Sequence, residues 1–291
     1  MRAIRRVTAW GLLINLILTA AKFAAGIIGG SRAVVADAVH STSDMLTDIL
    51  ILVGARYWTA PADVEHPYGH RRIETAITSL LGLALGVVGI GIGYDALATI
   101  HDEAPVSAPS WIAFGAAAVS IVSKELLYRW TVGVGRRIRS DAVVANAWHH
   151  RSDALSSIPA ALAVAGAALL PTWQVLDHVG AVIVAMFIIQ AAWAIVAPSV
   201  RRLVDVAAPE DLSHKVEAIA LSTPDVARVH AVRTRYLGSG LHVDLHVQVA
   251  PEMSVQRGHT VSERVKSRLL AEGPDVVDVV VHLEPCGDGP D

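Results

Sequence analysis

Two pairs of histidine and aspartate occur in stretches of the sequence that are otherwise apolar. His40 precedes Asp44 by four residues, and His149 precedes Asp153 by four. Residues at i and i+4 lie on one face of a helix, so each pair would present an imidazole and a carboxylate together. An ionised group at mid-bilayer costs about 2.5–3.5 kcal/mol on insertion scales, so such groups pair with each other or line an ion path. Two such helices supply the four nitrogen and oxygen ligands of a tetrahedral zinc site.

Either pair alone is equally compatible with a hydrogen bond between helices. The two matching pairs together favour a metal site formed by His40, Asp44, His149 and Asp153. We expect structural or access-path roles for the other polar residues of these helices, which are Asp37, Asp48, His150 and Arg151. At the mouth of the last apolar segment, we expect Asp177 and His178 to form a helix-start feature and not to be ligands.

A second cluster, Asp63, His66 and His70, lies in the connection between two apolar segments. Two prolines and a glycine restrict this connection, so three ligands could meet there at small entropic cost. Histidines in loops are also often merely solvated, and the spacing alone does not decide between the two interpretations.

The last third of the chain is rich in histidine. Alternate residues of a strand share a face, which groups His242 with His246 and His282 with Glu284. Histidines on one sheet face could be a polar exterior, but their density in so short a stretch favours a metal site.

Six apolar segments are long enough to cross about 30 Å of hydrocarbon as helices of about 20 residues. They are 7–30, 33–58, 74–100, 110–132, 142–170 and 175–200. We interpret the first of them as a membrane span and not as a cleaved signal peptide. Positive charge is concentrated on one side of these segments, which predicts cytoplasmic N- and C-termini in a bacterial-type inner membrane. The residues on that side are Arg2, Arg5, Arg6, Arg71, Arg72, Arg136, Arg137, Arg139, Arg201 and Arg202.

The remaining sequence has the pattern of a small soluble domain. A helix over 210–222, a hairpin of 226–236 and 241–250, a helix over 254–270 and a strand over 276–283 give the order αββαβ. The predicted fold is therefore a six-helix transmembrane domain over 1–205, a cytoplasmic α+β domain over 206–286 and a disordered tail over 287–291. So small a domain has a limited core, which favours dimerisation through it.

Composition supports a membrane protein and limits the ligands of any metal site. Of 291 residues, 53% are hydrophobic and only 18% are charged, which is too apolar for an ordinary soluble protein. A net charge of -3 gives no indication of nucleic acid binding. Cys286 is the single cysteine, so a metal site within one chain must use histidine and carboxylate.

These motifs resemble those of the cation diffusion facilitator family, and the resemblance covers nearly the whole chain. The family's intramembrane ligands match His40, Asp44, His149 and Asp153. Bacterial relatives of the iron and zinc efflux type often have aspartate at the first position, whereas His-Asp-His-Asp is typical of the more zinc-selective members. The family's cytoplasmic loop site matches Asp63, His66 and His70.

The C-terminal domain looks like the family's metallochaperone-like domain. Its two-metal site matches His230, His246, His259, His282 and Glu284, with glutamate where aspartate is common. Arg72 and Asp205 match a pair that couples the two domains, with arginine replacing lysine.

The resemblance implies a homodimeric antiporter that exports zinc, with protons as the counter-ion and one path in each protomer. Metal-binding imidazoles must be neutral and carboxylates ionised, so metal and protons displace each other. Rocking of helices about a fixed site would expose it to each side in turn. The implied partners are a second copy, the bilayer and divalent metal ions, in transport and regulatory sites, with no nucleic acid.

Three alternatives remain open. The first is an exporter of broader specificity that also carries Fe²⁺, Cd²⁺, Mn²⁺ or Co²⁺, since histidine and aspartate bind all of them. The second is a membrane metal sensor or scaffold that does not transport. The third, an intramembrane zinc hydrolase, would need an open ligand position and a general base, and no His-Glu-x-x-His sequence occurs. We therefore expect no enzymatic activity.

Overall fold

The computed structural model describes residues 2–100, 109–137, 141–170, 173 and 175–287. Within these ranges, the side chains of 2–8, 47, 48, 50–53, 55, 56, 141, 142 and 145 are not described. The predicted roles of Asp48 and of the basic side chains of Arg2, Arg5, Arg6 and Arg139 lie outside the described part of the molecule, as do residues 288–291 of the predicted tail.

Seven helices occupy the described residues of the apolar part of the chain. They are α1 (Arg2–Ile28), α2 (Arg32–Trp58), α3 (Arg71–Ala98), α4 (Trp111–Arg137), α5 (Asp141–Ser156), α6 (Ile158–Leu169) and α7 (Val175–Leu203).

Five stretches of these helices are long and apolar enough to cross a membrane, within the described residues. They are Ala9–Ile28, Arg71–Ala98, Trp111–Arg137, Asn146–Leu169 and Val175–Leu203. Helix α2 has 27 residues, as many as α1 and α4, so the segment predicted as the second span is a helix of the length that a span requires. Its second half includes side chains outside the described part, so it is not among these five stretches.

The fifth predicted span consists of two helices, where a single helix was expected. Helix α5 ends at Ser156 and α6 begins at Ile158, with Ser157 between them. Pro159 lies in the first turn of α6, where its missing N–H breaks the hydrogen-bond ladder from α5. The break lies one turn beyond Asp153.

The chain divides into two compact units. The first unit comprises Met1–Val53 and Leu81–Ile195, and the second comprises Gly54–Leu80 and Val196–Asp291. The core of the first unit contains many alanines, which let helices approach closely where there is no hydrophobic drive between them. A Cβ on Gly180 of α7 would lie 2.3 Å from the Cβ of Ala163 on α6, so this crossing requires glycine.

The second unit contains the predicted αββαβ order. Its elements are α8 (Glu210–Leu221), β1 (Arg228–Leu237), β2 (Gly240–Val249), α9 (Val255–Glu272) and β3 (Val276–Pro285). The strands form one sheet in the order β1-β2-β3, with β1 antiparallel and β3 parallel to the central β2.

Strand β2 alternates between a core face and a polar face. Its odd-numbered residues from Leu241 to Val249 are buried and pack with the apolar faces of α8 and α9. Its even-numbered residues lie on the opposite face, and His246 is among them. The sheet thereby places the C-terminal histidines on the side away from the apolar core.

Candidate metal centres

The loop between α2 and α3 brings the three predicted ligands together. The ligand atoms of Asp63, His66 and His70 all lie within 4.8 Å of one another. Asp63 organises the loop, since its Oδ1 accepts hydrogen bonds from the backbone N–H groups of Glu65 at 3.0 Å and His66 at 2.7 Å. Gly69 completes the turn with φ at +78°, a conformation that favours glycine.

The distances in this loop fit a tetrahedral metal. Two ligand atoms about 2.1 Å from zinc at a tetrahedral angle are about 3.4 Å apart. The His66 Nδ1–Asp63 Oδ1 and His70 Nε2–Asp63 Oδ2 distances are 3.4 and 3.3 Å. The Nδ1 of His70 lies 3.2 Å from the carbonyl oxygen of Pro61, so donation there leaves Nε2 free to bind a metal. The hydrogen bond from the His66 backbone also lowers the pKa of Asp63, which keeps this exposed carboxylate ionised.

The second cluster results from strand register. His230 on β1 is the cross-strand partner of His246 on β2, and His246 is the partner of His282 on β3. The three histidines therefore form one row across the sheet, with Glu284 on the same face of β3. The His246 ring centroid lies 5.1 Å from that of His230 and 4.6 Å from that of His282.

Glu284 bridges this row. Its Oε2 lies 2.9 Å from His230 Nε2, and its Oε1 lies 2.8 Å from His246 Nδ1. These three residues form a group whose ligand atoms all lie within 4.8 Å of one another. Hydrogen bonding to His230 and then to His246 lowers the pKa of Glu284. The longer arm of glutamate reaches both imidazoles, so a carboxylate is available to any metal bound there.

The other predicted C-terminal residues lie at the edge of this cluster or outside it. His282 is at the rim of the cluster, with its Nε2 3.4 Å from Glu284 Oε1. His259 is exposed on α9 and is not part of the group formed by the described residues. His242 is 1% exposed, and its nitrogens lie 3.5 Å from Asp244 and 3.4 Å from Asp278, outside the row.

The intramembrane pairs both form, in helices of the first unit. The His40 Nε2–Asp44 Oδ2 distance is 4.0 Å, and the His149 Nδ1–Asp153 Oδ1 distance is 3.7 Å. Asp44 interacts electrostatically with His149 and Asp153 as well as with His40, so the two pairs lie within range of each other. Among the described residues the four do not form a closed set of ligand atoms within 4.8 Å, as the other two clusters do.

Two buried lysines next to these pairs are absent from the sequence-based interpretation. Lys124 of α4 places its Nζ 3.2 Å from Asp153 Oδ2. Lys22 of α1 places its Nζ 2.9 Å from Asp37 Oδ2 and 2.8 Å from Ser41 Oγ. A lysine in the middle of an apolar span is itself a signal in the sequence, because such a charge needs a partner.

Other polar residues of the first unit have structural partners. Asp37 accepts hydrogen bonds from Lys22 and from Ser157 at 2.9 Å each, which joins α1 and α2 to the break before α6. Asp177 accepts from Ser31 Oγ at 2.6 Å and from the backbone N–H of Arg32 at 2.7 Å. Asp177 lies in the first turn of α7, the predicted helix-start position, and from there its carboxylate binds the start of α2.

Arg72 and Asp205 form an ion pair within the second unit. The Arg72 guanidinium donates to Asp205 Oδ1 at 2.7 Å. Asp205 also has a left-handed backbone with φ at 56°, and Val204 separates it from the last residue of α7.

Comparison with known proteins covers almost the full length. Residues 9–204 match the family model described as "Cation efflux transmembrane domain", and residues 208–286 match "Cation efflux protein, cytoplasmic domain". The uncharacterized transporter MJ0449 of Methanocaldococcus jannaschii is 32% identical, over 92% of this chain and 94% of that protein. The manganese efflux system protein MneP of Bacillus subtilis is 29% identical, over 97% and 96%.

Further matches include a plant protein and a solved structure. Metal tolerance protein C1 of Arabidopsis thaliana is 35% identical over 95% of this chain and 61% of that protein. A solved structure of a MamM-CTD variant covers 27% of this chain at 24% identity with a TM-score of 0.26, which adds nothing to the family matches. The matches to both family models, together with the apolar helices, establish that this chain is an integral membrane protein and belongs to the cation diffusion facilitator family of divalent metal efflux transporters.

Proposed function

We propose that this transporter exports zinc in exchange for protons, with His40, Asp44, His149 and Asp153 as the transport site. The observation that carries the proposal is the pair of His–Asp contacts in two helices of the first unit, within electrostatic range of each other. Two imidazoles and two carboxylates form a ligand set that suits tetrahedral zinc. The distance between the pairs would have to shorten when the ion binds.

Proton exchange follows from the chemistry of these ligands. An imidazole binds a metal only through an unprotonated nitrogen, and a carboxylate must be ionised, so protons and metal compete for the same atoms. His40 supports this role, because among the described residues its buried Nδ1 has no hydrogen-bond partner. The break at Ser157, one turn beyond Asp153, gives the site a place where the helix can bend as it faces each side in turn.

The loop and C-terminal clusters serve, in this proposal, as cytoplasmic metal sites. Asp63 is half exposed, and the row of histidines lies on the open face of its sheet, so both are accessible without movement of a membrane helix. A metal bound to the C-terminal cluster would stabilise the folded domain and favour a homodimer. Both chain termini would lie in the cytoplasm, as the distribution of arginines predicts.

Manganese is the second candidate cargo, and one observation favours it. The relative MneP of Bacillus subtilis, which matches over nearly its whole length, is a manganese efflux protein. Manganese prefers oxygen ligands and higher coordination, whereas His40 and His149 provide nitrogen, which suits zinc. We therefore place zinc first.

Transport by purified protein in liposomes tests the proposal. With a pH gradient across the liposome membrane, we expect Zn²⁺ uptake coupled to counterflow of protons, and less uptake of Mn²⁺. Asp153→Asn should abolish uptake, whereas Asp95→Asn, which removes an exposed carboxylate paired with Arg32, should retain it. Metal binding without uptake would identify a sensor or scaffold, and faster Mn²⁺ than Zn²⁺ uptake would reverse the order of the cargoes.

A further inference from the structure

Lys124 differs from the other buried lysine in how its charge is satisfied. The Nζ of Lys22 has three hydrogen-bond partners, namely Asp37, Ser41 and, at 3.4 Å, Ser157. Lys124 is 3% exposed, and among the described residues its hydrogen-bond partner is Asp153. An ammonium has three donors, so two of those of Lys124 are left without a described acceptor. Lys22 therefore has an acceptor for each of its donors, whereas Lys124 has one hydrogen-bond partner in the described part of the chain.

That contact is to a carboxylate of the proposed transport site. The charge of Lys124 also acts on Asp44, the other carboxylate of the site. A protonated lysine has no lone pair to offer a metal. It can only compete with the ion for the oxygens of Asp153, and without it an empty site would contain uncompensated carboxylates in a low dielectric.

A second acceptor for Lys124 lies one turn away on the same helix. Ser120 is fully buried, and its Oγ lacks a hydrogen-bond partner among the described residues. Ser120 and Lys124 are four apart on α4, and long side chains in helices lean toward the N-terminus, over the turn that contains Ser120. Rotation of the lysine side chain would therefore exchange Asp153 for Ser120 without moving the helix.

We propose that Lys124 is a tethered competitor of the transported metal, bound to Asp153 when the site is empty and displaced toward Ser120 when metal binds. This inference rests on the proposed transport site. The lysine weakens metal binding and thereby speeds release, and it neutralises the returning, empty site.

Metal affinity separates a competitor from a residue that only holds α4 against α5. Loss of a competitor tightens metal binding, whereas loss of a structural ion pair leaves it unchanged or weakens it. We would measure Zn²⁺ and Mn²⁺ dissociation constants by calorimetry on the full chain in nanodiscs. A background of His70→Ala and His246→Ala removes ligands from the two cytoplasmic clusters.

We expect Lys124→Met, which keeps the length without the charge, to lower the Kd about tenfold or more, the scale of one charged hydrogen bond. Lys22→Met is the matched control and should tighten binding far less than Lys124→Met, because the charge of Lys22 acts on Asp153 but its Nζ contacts Asp37 and no ligand. Ser120→Ala should weaken binding severalfold when Lys124 is present and have no effect in Lys124→Met. Lys124→Gln should lower the Kd as Lys124→Met does. It replaces Lys124→Met in the measurement if the methionine variant does not fold.

Asp153→Asn distinguishes the two possible failures. If it abolishes binding while the foldable Lys124 variant binds no more tightly than its parent, the competitor role is wrong and the transport site stands. If Asp153→Asn binds as tightly as its parent, the transport site itself is wrong.

Discussion

Asp205 has two separable roles at the end of α7. The backbone N–H of Val206 bonds to the carbonyl of Arg201 at 3.0 Å, and that of Asp205 bonds to Arg202 at 3.4 Å. With Asp205 left-handed at φ 56°, this is a Schellman motif that ends the helix. The side chain of the same residue forms the ion pair with Arg72.

The two roles have different energies. Arg72 and Asp205 side chains are 50% and 46% exposed, so their pair contributes at the scale of surface ion pairs, about 0.5 kcal/mol. A left-handed backbone costs an ordinary residue about 1–2 kcal/mol, whereas asparagine and glycine tolerate it. We therefore expect Asp205→Ala to lose about 2 kcal/mol of stability and Asp205→Asn about 0.5 kcal/mol. Asp205→Gly should be no less stable than Asp205→Asn.

The rate of transport should depend on whether a variant keeps the Arg72–Asp205 ion pair, and not on how stable the variant is. If the pair couples motion of the cytoplasmic part to the membrane helices, Asp205→Ala, Asp205→Asn, Asp205→Gly and Arg72→Ala should slow transport equally, with near-normal Zn²⁺ affinity. Thermal unfolding of the purified protein and initial rates of uptake into liposomes give the two quantities. The double variant of Arg72→Ala and Asp205→Asn should be no slower than either single variant.

Rates that follow the stability order would refute this reasoning, because the helix end and not the ion pair would then limit transport. Normal transport by Asp205→Asn would refute it as well.

Three further predictions concern the candidate sites. His40→Asp replaces an imidazole of the transport site by a carboxylate, so we expect Zn²⁺ transport to persist while transport of Mn²⁺ and Cd²⁺ rises relative to that of Zn²⁺. If the ranking of the metals in liposome uptake is unchanged, His40 is not a ligand of the site. The C-terminal domain, produced from residue 209 onward, should form a dimer that melts at a higher temperature with Zn²⁺, and His246→Ala should abolish that shift; sedimentation and thermal melts would reveal a monomer indifferent to zinc. The folded-state pKa of Glu284 lies below its ordinary value of 4.5, so its stabilisation is fully present above about pH 4.5 and is lost as the pH falls through the folded-state pKa. In Glu284→Gln, the free energy of unfolding measured by chemical denaturation should therefore fall less steeply as the pH is lowered below about 4.5. A pH dependence as steep as that of the parent protein would contradict this.

The sequence determines the membrane helices and the fold of the C-terminal domain, because both depend on local hydrophobic periodicity. Apolar length predicts α1, α3, α4 and α7, and alternation along β2 predicts the strand with its two faces. The His–Asp pairs are visible for the same reason, since four-residue spacing defines a helix face.

The sequence is less informative where a polar helix or a proline is involved. Helix α2 carries carboxylates whose partners, such as Lys22 beside Asp37, only packing supplies. The single helix predicted over 142–170 is two, because Pro159 interrupts the ladder just after Ser157.

Contacts between residues distant in sequence were decided by the tertiary structure alone. Strand register aligns His230, His246 and His282 in one row and leaves His259 exposed, and no spacing in the sequence encodes that register. Packing of α4 beside α5 brings Lys124 to Asp153, 29 residues away. Periodicity specifies which face of a helix is polar, but the partner that meets that face depends on how the helices pack.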